Sequence, residues 1–93
     1  MIRTFRHKGL KAFFKKRSTA GIQTALALKL AAMLTRLNKT TNVQDMNLPG
    51  WELHPFNGRE LKGHFSVYVN GNWRMTFTFD GIDAVLVDTQ DHH

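Results

Sequence analysis

The apolar residues of this chain change their period halfway along it. In the first half they recur every three or four positions, the spacing of one helix face. Leu10, Phe13 and Phe14, followed by Arg17, fall at i, i+3, i+4 and i+7, with Lys8, Lys11, Lys15 and Lys16 on the other side. This predicts a helix over 7–17, broken by Ser18, Thr19, Ala20 and Gly21. A second stripe of Leu26, Leu30, Met33, Leu34 and Leu37 predicts a longer helix over 22–37, rich in good helix formers. Past Asn42 the period falls to two. Phe65, Val67 and Val69 alternate with His64, Ser66 and Tyr68, and Trp73, Met75, Phe77 and Phe79 alternate with Arg74, Thr76 and Thr78. That is strand spacing.

Two helices with one apolar stripe each cannot close a core alone, so the strands must cover them. The expected fold class is α+β, an N-terminal helix hairpin packed on one face of a small, largely antiparallel sheet. Strands are expected over 64–69, 73–79 and 83–88, with short ones over 1–5 and 51–55. Pro55 has no N–H to give a ladder and restricts its strand to an edge or an end. Asn70-Gly71-Asn72 is read as a three-residue turn, because that register puts Val69 opposite Trp73 and gathers the hydrophobes on one face. Asn72 would take the left-handed conformation there. Pro49-Gly50, Asn57-Gly58 and Asp80-Gly81 mark further turns. The second sheet face would then be open and polar, carrying His64, Ser66, Tyr68, Arg74, Thr76 and Thr78.

With 93 residues the chain suits one domain, 1–93. It has no cysteine, which excludes disulfides, thiolate zinc sites and a cysteine nucleophile and fits a reducing cytoplasm. No apolar run is long enough for a membrane span or a signal peptide.

Charge is strongly divided. Residues 1–42 hold ten basic side chains and no acidic one; residues 43–93 hold three basic and seven acidic. A one-signed surface draws anionic partners, with nucleic acid the common case and an acidic protein the other. On the polar sheet face, the planar fork of Arg74 suits phosphate oxygens, although a solvated surface arginine would read the same way. His54, in Leu53-His54-Pro55, is placed to carry protons near neutral pH or to brace its loop. His92 and His93 follow Asp91 at the end of the chain, and no compact metal-binding motif is present. Metal-free RNA cleavage needs a base for a ribose 2′-OH, an acid for the leaving oxygen and a cation for the phosphate. Histidines, one arginine and scattered lysines satisfy that list. They equally satisfy an RNA-binding protein without chemistry.

Three stretches carry a family resemblance. They are Ile2-Arg3-Thr4-Phe5-Arg6-His7-Lys8-Gly9-Leu10-Lys11; Leu53-His54-Pro55-Phe56-Asn57-Gly58 with Gly63-His64-Phe65-Ser66-Val67; and Asn72-Trp73-Arg74-Met75-Thr76-Phe77 with the ending Asp91-His92-His93. In this order the chain resembles HigB-type toxins of the wider RelE-like group. The resemblance implies a metal-independent endoribonuclease without cofactor, a cytoplasmic mRNA interferase that cuts messenger RNA in the ribosomal A site. It implies a HigA-like helix-turn-helix antitoxin, and operator DNA contacted only through the toxin–antitoxin complex.

By the same resemblance His54 matches the family's histidine, as base or substrate orienter, and Arg74 matches the arginine that stabilises the phosphate. Asp91 and His92 fall in the family's catalytic ending, Asp91 to orient a histidine and His92 to transfer a proton. Two positions depart from the pattern: Asn57 stands where a lysine is usual, and His92 where a tyrosine is usual. Lys62 or Arg59 is expected to supply charge near the first. Lys8, Lys11, Lys15, Arg59, Lys62 and Tyr68 are the expected RNA contacts. The alternative is a non-catalytic RNA- or ribosome-binding protein, or an antitoxin corepressor. A protein that binds duplex DNA by itself is a third reading, without a recognisable DNA-reading helix to support it.

Overall fold

The computed structural model describes residues 1–56 and 63–91. In order they form helix α1 (Lys8–Lys16), helix α2 (Thr24–Lys39), a 3₁₀ turn (Val43–Met46) and strands β1 (His54–Phe56), β2 (His64–Asn70), β3 (Trp73–Asp80) and β4 (Asp83–Asp91). The sheet order is β1-β2-β3-β4, all antiparallel. The expected α+β architecture is therefore present, a helix pair against a four-stranded antiparallel sheet.

The α2 stripe faces the sheet; of the α1 stripe only Leu10 is fully buried, while Phe13 and Phe14 are partly buried. Leu10 of α1 and Leu26, Leu30, Met33, Leu34 and Leu37 of α2 are buried with Val67, Val69, Met75 and Phe77 from β2 and β3. Each such side chain contributes roughly 1.5–3 kcal/mol by leaving water. Trp73, expected among them, is only partly buried. At the start of α1 the His7 ring caps the helix, its Nδ1 accepting from the Leu10 N–H at 2.9 Å. Arg17 lies outside the apolar stripe. It is exposed and ends α1 in the left-handed region at φ 58°, its N–H bonded to the Phe13 carbonyl.

The first residues do not form a separate strand. Ile2 and Phe5 make two parallel bridges, to Ala84 and Val87 of β4. The left-handed φ of Leu86, 57°, belongs to a bulge there, and its N–H is taken by the Thr4 hydroxyl at 2.8 Å. Arg3 adds ion pairs to Asp80 and Asp83.

The β2–β3 hairpin keeps the expected register over most of its length, with Tyr68↔Arg74, Val67↔Met75 and Ser66↔Thr76. The turn itself differs. Asn70 pairs with Trp73, so only Gly71 and Asn72 lie between the strands, and a bulge after Tyr68 absorbs the extra residue. The left-handed residue is Gly71, at φ 59°, rather than Asn72, because glycine has no Cβ to clash there. β1 starts later than expected, at His54, and Pro55 does sit on an edge strand.

Candidate functional site

The residues that converge come from three strands. Arg74 starts near the beginning of β3, directly across from Tyr68 on β2. Its side chain does not project into solvent. It lies down across β2, where Nε donates to the Ser66 hydroxyl at 3.0 Å. Nη2 then reaches the β1 side of the sheet, donating to the Glu52 carbonyl at 3.0 Å and meeting His54 Nε2 at 2.6 Å. Two strand spacings are about 9.6 Å, a span that the long arginine stem and the imidazole cover between them.

The segment before β1 is shaped to receive this group. Trp51 already aligns with β2, its carbonyl accepting from the Tyr68 N–H at 2.6 Å. Glu52 then takes the left-handed region at φ 48°, which costs a residue with a Cβ about 1–2 kcal/mol. This kink brings the Glu52 carbonyl to Arg74 before the chain joins β2 again at the His54–Ser66 pair.

The contacts of His54 assign its tautomer. Nδ1 lies 3.0 Å from the Pro55 carbonyl, which can only accept, so Nδ1 carries the hydrogen. A guanidinium can only donate, so Nε2 faces Arg74 with its lone pair. Of the five guanidinium N–H bonds, one at Nε and two at Nη2 have these partners. Among the described residues no hydrogen bond engages Nη1, which leaves two donors for an anion's oxygens.

The polar face is less open than expected. Arg74 is half-buried, while Ser66, Thr76 and His64 are 0%, 1% and 7% exposed. Arg74 covers Ser66 by folding back on the sheet. The Thr76 hydroxyl and both His64 ring nitrogens find no partner among the described residues.

Among the described residues, the other expected site residues make none of these hydrogen bonds to Arg74. Tyr68 shares the Arg74 row, and the Lys29 ammonium sits 5.6 Å from its ring centroid, within cation–π range. Asp91 does not belong to a tail; it is the last residue of β4, opposite Trp73, while Gln90 is opposite Arg74. By the alternation of a strand, Asp91 turns to the Trp73 side rather than the Arg74 side. Lys8, Lys11 and Lys15 are exposed along α1 and are not among the Arg74 contacts. Arg59, Lys62, His92 and the Asn57-Gly58 turn lie outside the described residues. The sequence reading had no means of finding the Glu52 carbonyl, since a main-chain acceptor leaves no residue signature. It placed Ser66 on the right face without giving it a task, and it left Lys29 aside.

Among the described residues, no helix is long and apolar enough to cross a membrane. Residues 3–93 match the model of a family described as the RelE-like toxin of type II toxin–antitoxin system HigB. The chain is 34% identical over 93 residues to the endoribonuclease HigB of Proteus vulgaris, and the similarity covers 100% of both chains. A helix pair on a four-stranded antiparallel sheet, matched over nearly its whole length, leaves one assignment: this chain belongs to the HigB-like toxins, the RelE-like toxins of type II toxin–antitoxin systems.

Proposed function

We propose that this toxin inhibits translation as a metal-independent endoribonuclease acting on messenger RNA in the ribosomal A site. The supporting observation is the Arg74–His54 contact, a guanidinium held on three N–H bonds beside an imidazole nitrogen with its lone pair in place. The Nη1 donors bind the scissile phosphate. When the substrate displaces Nη2 from the imidazole, His54 Nε2 takes the proton of the ribose 2′-OH. The 2′-oxygen attacks phosphorus, the P–O5′ bond breaks, and the leaving 5′-oxygen takes a proton from His92. The products are a 2′,3′-cyclic phosphate and a 5′-hydroxyl, with Arg74 offsetting the charge that builds on the phosphate oxygens.

Lys8, Lys11 and Lys15, with Arg59 and Lys62, hold the RNA backbone, and Tyr68 offers a ring face for a base. A HigA-like helix-turn-helix antitoxin neutralises the toxin and carries it to operator DNA. The test is to induce the wild type and Arg74→Ala in cells and to map the 5′ ends of messages. New ends clustered inside coding regions with the wild type alone support cleavage. Growth arrest without new ends would overturn it in favour of a non-catalytic ribosome binder.

A further inference from the structure

The helix pair has a second face that the sheet does not cover. Between α1 and α2 runs a groove of about 350 Å³, walled by Phe13 and Phe14 on one side and by Leu28 and Thr35 on the other, with Ala31 in its lining. Leu28 stands 89% exposed, a large apolar side chain that the fold does not use. Thr35 also lines an adjoining hollow with Arg36, Lys39, Thr40 and Asp45, so the cleft continues along α2. From Leu28 to Lys39 is about 16 Å at ~1.5 Å per residue, the length of three helical turns.

The helix rim is cationic, and Asp45 of the 3₁₀ turn is the acidic residue that lines the adjoining hollow. Arg17 lines the groove, Lys15 and Lys16 close the last turn of α1, and Arg36 and Lys39 close that of α2. Residues 1–42 contain no acidic side chain at all. An apolar floor between cationic edges excludes two occupants. RNA would match the edges but leave Leu28 and the phenylalanines uncovered. A second copy would match the floor but bring like charges together. A helix with an apolar stripe and acidic flanks satisfies both, in the helix-in-groove mode.

We propose that the antitoxin docks here, through an acidic amphipathic helix whose apolar stripe covers Leu28, Phe13 and Phe14. This inference rests on membership of a toxin–antitoxin family and on the groove, not on the nuclease reading. No residue lining the groove is among those that hold Arg74.

The experiment titrates the purified toxin with its cognate antitoxin, by calorimetry at two salt concentrations. Leu28→Glu lies on an exposed position and keeps the fold, which circular dichroism and a thermal melt verify. Ile82→Glu, at an exposed apolar residue between β3 and β4, is the matched control. The expected result is at least tenfold weaker binding by Leu28→Glu, unchanged binding by Ile82→Glu, and weaker wild-type binding at higher salt. The proposal is overturned if Leu28→Glu binds within twofold of the wild type, or if Ile82→Glu loses as much. It is also overturned if salt has no effect, or if the free toxin is a dimer that Leu28→Glu splits. RNA binding lost while antitoxin binding persists would assign the groove to RNA instead.

Discussion

Arg74 and His54 meet at 2.6 Å although their strands are not neighbours, since β2 lies between β3 and β1. The contact exists because the arginine lies flat over Ser66, so the sheet itself acts as the ruler that sets the distance. Side chains standing upright on β1 and β3 would have no such fixed spacing.

The fork of the guanidinium makes lysine a poor replacement. One ammonium cannot bond Ser66, the Glu52 carbonyl and His54 and still present donors to a phosphate. Arg74→Lys is expected to lower message cleavage about 10²–10³-fold, the usual cost of a lost oxyanion donor, while the melting temperature stays near that of the wild type. Quantified 5′ ends after induction, beside a thermal melt, give both numbers. Undiminished toxicity in the lysine variant would remove the site assignment.

Ser66 anchors the middle of that side chain and is fully buried. Ser66→Ala leaves Arg74 tethered only at its tip. A loss of about 1 kcal/mol in a urea melt is expected from the missing hydrogen bond. Cleavage should fall by roughly tenfold through the misplaced guanidinium, less than for Arg74→Lys. Equal losses for the two variants would mean that Ser66 does more than position.

Glu52 supplies a carbonyl from a left-handed backbone. Glu52→Gly satisfies that geometry without a Cβ and is expected to leave toxicity and stability close to the wild type. Glu52→Val adds branching at the same φ and should cost about 1–2 kcal/mol, several degrees in Tm. Stability that follows side-chain charge instead of backbone preference would contradict the kink argument.

Gly9 is a helical glycine whose replacement should run against propensity. In an ordinary helix Gly→Ala gains about 1 kcal/mol. Here a Cβ on Gly9 would come within 2.9 Å of the His7 ring and 3.0 Å of the Gly21 Cα. Gly9→Ala is therefore expected to destabilise by about 1–3 kcal/mol, and Gly21→Ala, 2.9 Å from the Gly9 Cα, to do the same. Denaturant melts of both variants decide the sign.

Periodicity made the helices, the hairpin register and the division of faces legible, because the buried stripes of α2 and β2 repeat cleanly. The turn at Gly71 was misread since one bulge residue shifts a turn without disturbing the strands beyond it. The open polar face was misread for another reason. Alternation assigns Arg74 and Ser66 to one side of the sheet, but whether an arginine stands up or lies down is set by partners remote in sequence. Those partners are the Glu52 carbonyl and His54, 22 and 20 residues away. The resemblance pointed to His54 and Arg74 individually; their contact and the tautomer come from the fold.

The pairing of Ile2 and Phe5 with Ala84 and Val87 joins residues 82 positions apart in the sequence. β4 pairs with the strand that bears Arg74, so the surface carrying that arginine is completed only once a contact this remote in sequence has closed, a slow step in folding.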